Sequence, residues 1–453
     1  MRKLIVVYQG VSQSAVLNNI LSVSGVNDAL TVDVIDAAIV DTAPGQEQQV
    51  KSQLQSLSGV ATVYEEIQAV PLIADESELQ STLSGLADER GYEIPLPDDT
   101  PDFDTKAESP DPNAELSSID DSLAEIGVPD MHDSGATGSG VIVANVDTGV
   151  YRSQFRSDRL LDGLDASGGD DPYNPVGGHG TYTMGIAAGD EQTEGINRGP
   201  AYEADIFPIK VSFGSGGLIA AADALQTLAQ ETSGPVVVNH SWGYTNCTGV
   251  CDRPETEAFV NAMQEPNAYH IWSAGNGARK CGGRCSGENQ NGINGPNSTD
   301  EAITVAATGR GGDPDALQGY SSRGPGSCGS EKPDLSAPIY GVVPYGDDSK
   351  NIGNRGGTSG AAPQVTGVVA ATLSASGTVE LPTVQQRLNQ TATENPLYDG
   401  ERNICTGHGN VAGSSFFSEF ATPSPFTIPD DAVAYGSVIA SLGITSVESG
   451  LYE

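Results

Sequence analysis

The 453-residue sequence predicts an α/β protein: a mainly parallel sheet between two layers of helices, preceded by a small α+β unit. Three observations carry this. Between Leu123 and Ala307, short and almost unbroken apolar runs alternate with helical stretches, as buried parallel strands and their crossovers require. Residues 3 to 73 follow a different order, strand-helix-strand-strand-helix-strand, which builds an antiparallel sheet with helices on one face. Between the two, Pro95, Pro97, Pro101, Pro110 and Pro112 are interspersed with Asp and Glu, and no core can form.

These breaks give four segments: 1–73, a linker 74–117, a main unit 118–415 and an acidic, weakly patterned tail 416–453. In the first, Leu4 to Tyr8 reads as a strand, and Val16, Leu17, Ile20 and Leu21 fall on one helical face. Thr31 to Asp41 reads as a strand rich in Val and Ile. Val50, Leu54 and Leu57 mark a second helix closed by Gly59, and Val60 to Val70 a last strand. The linker is exposed and open to proteolytic nicking. In the main unit, Gly140 to Val146 is a buried strand ending in Asp147-Thr148-Gly149. Further strands are Ile206 to Val211, Pro235 to Val238, Tyr269 to Ser273 and Ala302 to Ala307, with a helix over Leu218 to Ala229. Gly356-Gly357-Thr358 reads as a tight turn into a buried helix carrying Val365, Val368, Val369 and Leu373. Leu381 to Leu388 reads as a surface helix and Gly407 to Val411 as a closing turn. In such a sheet, functional residues gather at the carboxyl ends of strands.

The net charge is −39, from 60 acidic and 21 basic residues. Nucleic acid and anionic membranes repel such a surface and are excluded as partners. A dense carboxylate surface suits high salt, where screening removes self-repulsion; a calcium-rich or mildly acidic habitat is the other reading. No run approaches the length of a membrane span. Met1 to Gly10 carries basic residues but too short an apolar stretch for a secretory signal, so export by another route and an intracellular location both stay open. Cys247/Cys251 and Cys281/Cys285 form two C-x-x-x-C pairs, while Cys328 and Cys405 stand alone. In an exported protein the six read as disulfides with undetermined connectivity; inside a cell, a metal site built by the two pairs would compete with that reading.

Four polar residues stand where the pattern changes. Asp147 closes a buried strand, where a carboxylate is costly unless hydrogen-bonded. His179 lies between glycines and a small-residue helix. Asn276 follows a strand in Ser273-Ala274-Gly275-Asn276-Gly277. Ser359 stands at a helix start, where unpaired N–H groups and the helix dipole favour negative charge nearby. Singly, each has a bland reading: turn aspartate, structural histidine, turn asparagine, N-cap serine. Together they have the chemistry of nucleophilic acyl transfer.

In that order, with their neighbours, these residues resemble subtilisin-like serine proteases over roughly residues 120 to 415. The resembling pieces are Asp147-Thr148-Gly149, His179-Gly180-Thr181, Ala274-Gly275-Asn276, Gly357-Thr358-Ser359 with Pro363, Ser321-Ser322-Arg323-Gly324-Pro325 and Lys332-Pro333-Asp334-Leu335-Ser336-Ala337-Pro338. The resemblance implies a three-layer subtilisin-like fold and a serine endopeptidase acting on polypeptides. Ser359 is then the nucleophile, His179 the base, Asp147 its orienting carboxylate and Asn276 an oxyanion donor. It also implies a ferredoxin-like propeptide in residues 1–73 that inhibits the chain until self-processing within 74–117, and a secreted monomer. Ser215-Gly216-Gly217 and Ser241-Trp242-Gly243 resemble the segments that pair with an extended substrate, and Trp242 with Ser273-Ala274-Gly275 resembles the wall of the pocket before the cut. For Trp242, plain core is an equal reading. The cysteine pairs would brace the pocket rim. Catalysis needs no cofactor; structural calcium is common in the family, and Asp162, Asp165, Asp170 and Asp171 offer oxygen ligands. The chain departs from the family at Gly360, usually methionine, and at Tyr182 and Gln364, where histidines are frequent.

Overall fold

The computed structural model describes residues 3–67, 69–71, 84, 119–190, 198–244, 249–277, 292–309, 317–339, 342–344, 352–354, 356–395 and 402–421. Most of the linker, the tail beyond 421, and Cys247, Cys281 and Cys285 lie outside these residues.

The first unit pairs β1 (Lys3–Tyr8), β2 (Val26–Val32), β3 (Ala37–Thr42) and β4 (Val60–Glu65) antiparallel in the order β2-β3-β1-β4. Alternation along β1 sends Leu4, Val6 and Tyr8 to a core with α1 (Gln13–Leu21) and α2 (Glu47–Gln55), contributed by Val16, Ile20, Val50 and Leu54. Ile5 and Ile39 face the other way and join the core of the main unit. The stretch 31–41, given as a single run, holds the turn between the two adjacent strands that the strand-helix-strand-strand-helix-strand order requires. Its middle turns because the N–H groups of Asp33 and Val34 donate to Asp223, and Val34 and Ile35 are buried against the main unit. Val60 to Val70, read as one strand, is two: β4 stops at Glu65, and β5 (Ala69–Pro71) leaves to pair elsewhere.

The main unit opens with α3 (Ile119–Glu125) and α4 (Val128–Asp133). Its strands are β6 (Ile142–Asp147), β7 (Leu164–Asp165), β8 (Asp205–Lys210), β9 (Val236–His240), β11 (Ala268–Ser273), β12 (Ile303–Thr308) and β13 (Leu335–Pro338). They form one sheet in the order β13-β12-β11-β9-β6-β8-β7, with every pairing parallel. Alternate residues serve opposite faces. Val143 and Val237 pack with α5 (His179–Ala188) and α8 (Thr358–Ser376); Ala144, Val146, Val236 and Val238 pack with α6 (Ser215–Glu231) and α7 (Pro254–Met263). This is the three-layer α/β arrangement. Two short antiparallel pairs, β10 (Trp242–Tyr244) with β5 and β14 (Val342–Pro344) with β15 (Ile352–Asn354), lie outside the large sheet. Helices α9 (Leu381–Thr391) and α10 (Gly413–Ala421) complete the described chain.

Cys251 is bonded to Cys328, 77 residues away, so the C-x-x-x-C spacing of Cys247 and Cys251 does not define a pair. Cys405 is also disulfide-bonded, and no described cysteine is free. Two of the loop aspartates have protein partners. Asp165 accepts from Ser167 and pairs with buried Lys210 at 3.5 Å, and Asp171 accepts the N–H of Tyr173. Among the described residues no group of three or more metal-ligating side chains is brought together, so Asp162, Asp165, Asp170 and Asp171 do not converge as the calcium reading required.

Candidate active site

Asp147 ends β6, the strand on either side of which the chain departs to β8 and β9, so its carboxylate stands at a topological switch point. It is fully buried. Its Oδ1 accepts the N–H of Thr148 at 2.7 Å, and its Oδ2 the hydroxyl of Thr183 at 3.3 Å. His179 begins α5, and its Nδ1 lies 2.8 Å and 3.0 Å from the two carboxylate oxygens. A carboxylate only accepts, so Nδ1 donates to it and the ring's other nitrogen, Nε2, is the one left to act as a base; among the described residues it finds no hydrogen-bond partner. Two glycines make this approach possible. Gly149 has φ +93°, and a Cβ on Gly180 would lie 2.2 Å from the Gly149 carbonyl oxygen. The Gly180 N–H closes the contact on Thr148 Oγ1 at 3.0 Å.

Ser359 is the second residue of α8, after Gly357 at φ +90°. Helices α5 and α8 pack together, and Gly360 abuts Tyr182, one turn along from His179: a Cβ at 360 would lie 2.7 Å from the tyrosine hydroxyl. The two departures at Gly360 and Tyr182 are therefore one complementary pair, a large side chain filling the space left by a missing one. The Ser359 hydroxyl donates to the main-chain oxygen of Ser241 at 3.1 Å.

Asn276 Oδ1 accepts from the Thr358 N–H at 3.0 Å and from its hydroxyl at 2.9 Å. A main-chain N–H can only donate, which fixes the amide's orientation: oxygen toward the helix start, NH₂ the other way. Thr358 in turn accepts from Gly275 N–H and Ser273 Oγ, at 3.2 and 3.0 Å, so the Ser273-to-Asn276 stretch is laced to the residue before Ser359. Gly275 has φ +107° and hands its carbonyl to the Ser322 N–H at 2.8 Å. This is what the Ser321-Ser322 motif does here.

Beside Ser359 runs a groove, and the chain's own β5 lies in it. Its register against β10 is antiparallel: Pro71 opposite Trp242, Val70 opposite Gly243, Ala69 opposite Tyr244. On the other side, Ala69 N–H donates to Phe213 O at 2.8 Å, and Ser215 N–H to Ile67 O at 3.1 Å. The pairing main chain is thus Phe213 to Ser215, not Ser215 to Gly217. Gly216 and Gly217 are already in the first turn of α6, and Gly216 is covered by Ile39 and Lys3. Trp242 lends its backbone to the groove while its side chain, fully buried, packs with Phe213, Tyr244, Phe259 and Trp272; it is core, not pocket wall. Behind it His240 Nε2 and His270 Nδ1 share a hydrogen bond of 2.9 Å, with His240 stacked 3.8 Å from Trp272. Burial pushes both imidazoles down, His270 to about 3.

Other contributors have no motif. Asn239 Nδ2 donates to Asn145 Oδ1 at 2.8 Å and to Ser241 Oγ at 3.0 Å, and Asn145 Nδ2 donates to Gly180 O at 3.0 Å. This buried ladder ties the strand before Asp147 to the strand before Ser241. The only sequence signal is a lone asparagine inside each apolar run.

The profile of the subtilase family matches residues 138–410, which contain every side chain of this site. The chain belongs to the subtilase family. This subtilase is 31% identical over 260 residues to the serine protease AprX of Bacillus subtilis, covering 52% of this chain and 57% of AprX. It is 28% identical over 277 residues to the thermostable alkaline protease of Halalkalibacterium halodurans, covering 60% and 67%. Its fold matches the crystal structure of fervidolysin from Fervidobacterium pennivorans, described as a keratinolytic enzyme related to subtilisin. The TM-score is 0.65 at 21% identity, covering 94% of this chain and 62% of that one. The subtilase thus spans little more than half the length of AprX.

Proposed function

We propose that this chain is a serine endopeptidase that hydrolyses peptide bonds through Asp147, His179 and Ser359, made as a self-processed zymogen. The observation that carries the proposal is the buried Asp147–His179 hydrogen bond, which leaves Nε2 as a base at the helix packed against the one that starts with Thr358-Ser359. The first step requires the Ser359 hydroxyl to exchange its Ser241 acceptor for His179 Nε2. The oxygen then attacks the substrate carbonyl as its proton passes to the ring, and Asp147 stabilises the imidazolium. The Asn276 NH₂ and the Ser359 N–H hold the oxyanion. Collapse expels the amine, which takes the proton from His179, and water releases the acyl group by the same steps in reverse roles. A serine-directed fluorophosphonate should label the active protein once and Ser359→Ala not at all; absence of label on the unmutated protein sinks the proposal.

Residues 1–73 act as the propeptide in this reading, supported by β5 lying in the groove beside Ser359. Unmutated protein should shed its amino-terminal part with time, and Ser359→Ala should remain full length. A Ser359→Ala protein that matures alone would count against self-processing. The Cys251–Cys328 disulfide supports action outside the cell.

A further inference from the structure

Glu255 is a fully buried carboxylate that the mechanism does not use. It lies in the first turn of α7 and is held by Arg253, whose Nη2 is 3.1 Å from Oε1 and whose Nε is 3.3 Å from Oε2. Its Oε1 also receives the hydroxyl of Ser215, itself fully buried. The Ser215 oxygen has a second acceptor within reach, the Ile67 carbonyl at 3.3 Å, but a carboxylate is the stronger acceptor and lies much closer. The Ser215 proton is therefore committed to Glu255, which leaves the Ser215 lone pairs facing the groove. One of them accepts the Ile67 N–H at 2.9 Å, while the Ser215 N–H donates to the Ile67 carbonyl at 3.1 Å.

Both main-chain groups of one residue in the groove are thus gripped by Ser215. That residue lies two positions upstream of Ala69, the last one held by Phe213. We propose that Ser215, oriented by Glu255, is a main-chain reader for substrate at the outer end of the acyl-side groove, so that the enzyme takes long extended polypeptides and rejects residues lacking an N–H at this point. The inference rests on the protease reading and deepens it. It does not require a particular side chain at that position, because every contact named is to backbone.

The probe is a peptide p-nitroanilide reproducing residues 65 to 72. Pro71 pairs with Trp242, and Ser241, just before Trp242, receives the Ser359 hydroxyl on its main-chain oxygen, so the anilide of the probe is placed one residue beyond the proline. A second peptide carries an N-methyl isoleucine at position 67, and a third begins at position 69. One lost hydrogen bond of ordinary strength predicts a fall in kcat/KM of roughly three- to tenfold on methylation. Most of it should appear in KM, and the short peptide should be no better than the methylated one. In Ser215→Ala the penalty for methylation should disappear. Equal rates for methylated and unmethylated peptides on the unmutated enzyme overturn the proposal, as does a penalty that persists in Ser215→Ala. A measurement without turnover separates this from the protease reading. In full-length Ser359→Ala, hydrogen exchange at the Ile67 amide should be slow, and adding Ser215→Ala should accelerate it about three- to tenfold. An unchanged exchange rate overturns the assignment whatever the chain hydrolyses.

Discussion

Asn276 uses the two ends of one amide for different purposes. Its oxygen is committed to Thr358, so Asn276→Ala removes both the anchor of the helix start and the proposed oxyanion donor. Removing one such donor in this family costs on the order of 10²–10³ in turnover. Because the interaction is made with charge that develops during reaction, the loss should fall on kcat with KM little changed; steady-state kinetics on a peptide anilide would show it, and a pure KM effect would refute the role. Asp147→Asn tests the other end of the relay. The asparagine retains an acceptor for the Thr148 N–H, so the fold should survive. Its NH₂ end, however, stands 3.0 Å from Nδ1 where a carboxylate oxygen stood and can only donate, which favours the tautomer that carries the proton on Nε2 and so removes the base. A fall in kcat of about 10⁴ is expected at neutral pH. Asp147, His179, Asn276 and Ser359 could be singled out in the sequence because each stands where a strand or helix begins or ends. Asn145, Asn239 and Thr183 could not: they sit within elements, and nothing in a linear pattern says that a polar residue in one apolar run finds its partner in another run 94 residues away.

At the scale of elements, the junction of α5 and α8 is built from a matched pair. Gly360→Ala would place a Cβ 2.7 Å from the Tyr182 hydroxyl, and a packed ring cannot swing aside. The variant should lose roughly 1–3 kcal/mol of stability, and Tyr182→Phe, which deletes the offending oxygen, should restore a large part of it. Urea midpoints of the two single variants and the double variant would measure the coupling, and strictly additive losses would refute it. The neighbouring strands β9 and β11 carry a different liability. His240 and His270 titrate near 6.5 when unfolded, whereas burial holds them well below that when folded, His270 at about 3. A depressed imidazole means that the unfolded chain binds protons first as pH falls. Stability from this pair is therefore complete above about pH 6.5 and is lost progressively toward pH 3. Thermal midpoints should fall across that window, and His270→Gln should flatten the slope. The turn at 33–36 was hidden from the sequence for a related reason: apolar Val34 and Ile35 extend the period of a strand, yet they are buried by another unit rather than by their own sheet.

Across the whole molecule, the order of apolar runs was enough to give three layers and a parallel sheet, because a strand buried on both faces has to be apolar along its length. It could not give the direction in which β5 departs, since three residues make a strand only where β10 offers its edge. Charge acts at this scale as well. With 60 acidic against 21 basic residues, the net charge is −39, and Lys210, Arg159 and Lys332 are buried in pairs with Asp165, Asp190 and Asp334. Those cations neutralise interior carboxylates and leave the surface still more one-sided. Repulsion among surface carboxylates acts over the Debye length, which falls from about 10 Å at 0.1 M salt to about 3 Å at 1 M. Compaction brings like charges together, so screening favours the folded state. The thermal midpoint of Ser359→Ala, which cannot digest itself, should rise as potassium chloride is increased from about 0.1 M to about 1 M. The buried pairs are shielded from solvent ions and should not weaken over that range, so they do not offset the gain. A midpoint that stays flat or falls would show that surface repulsion is not what limits this fold.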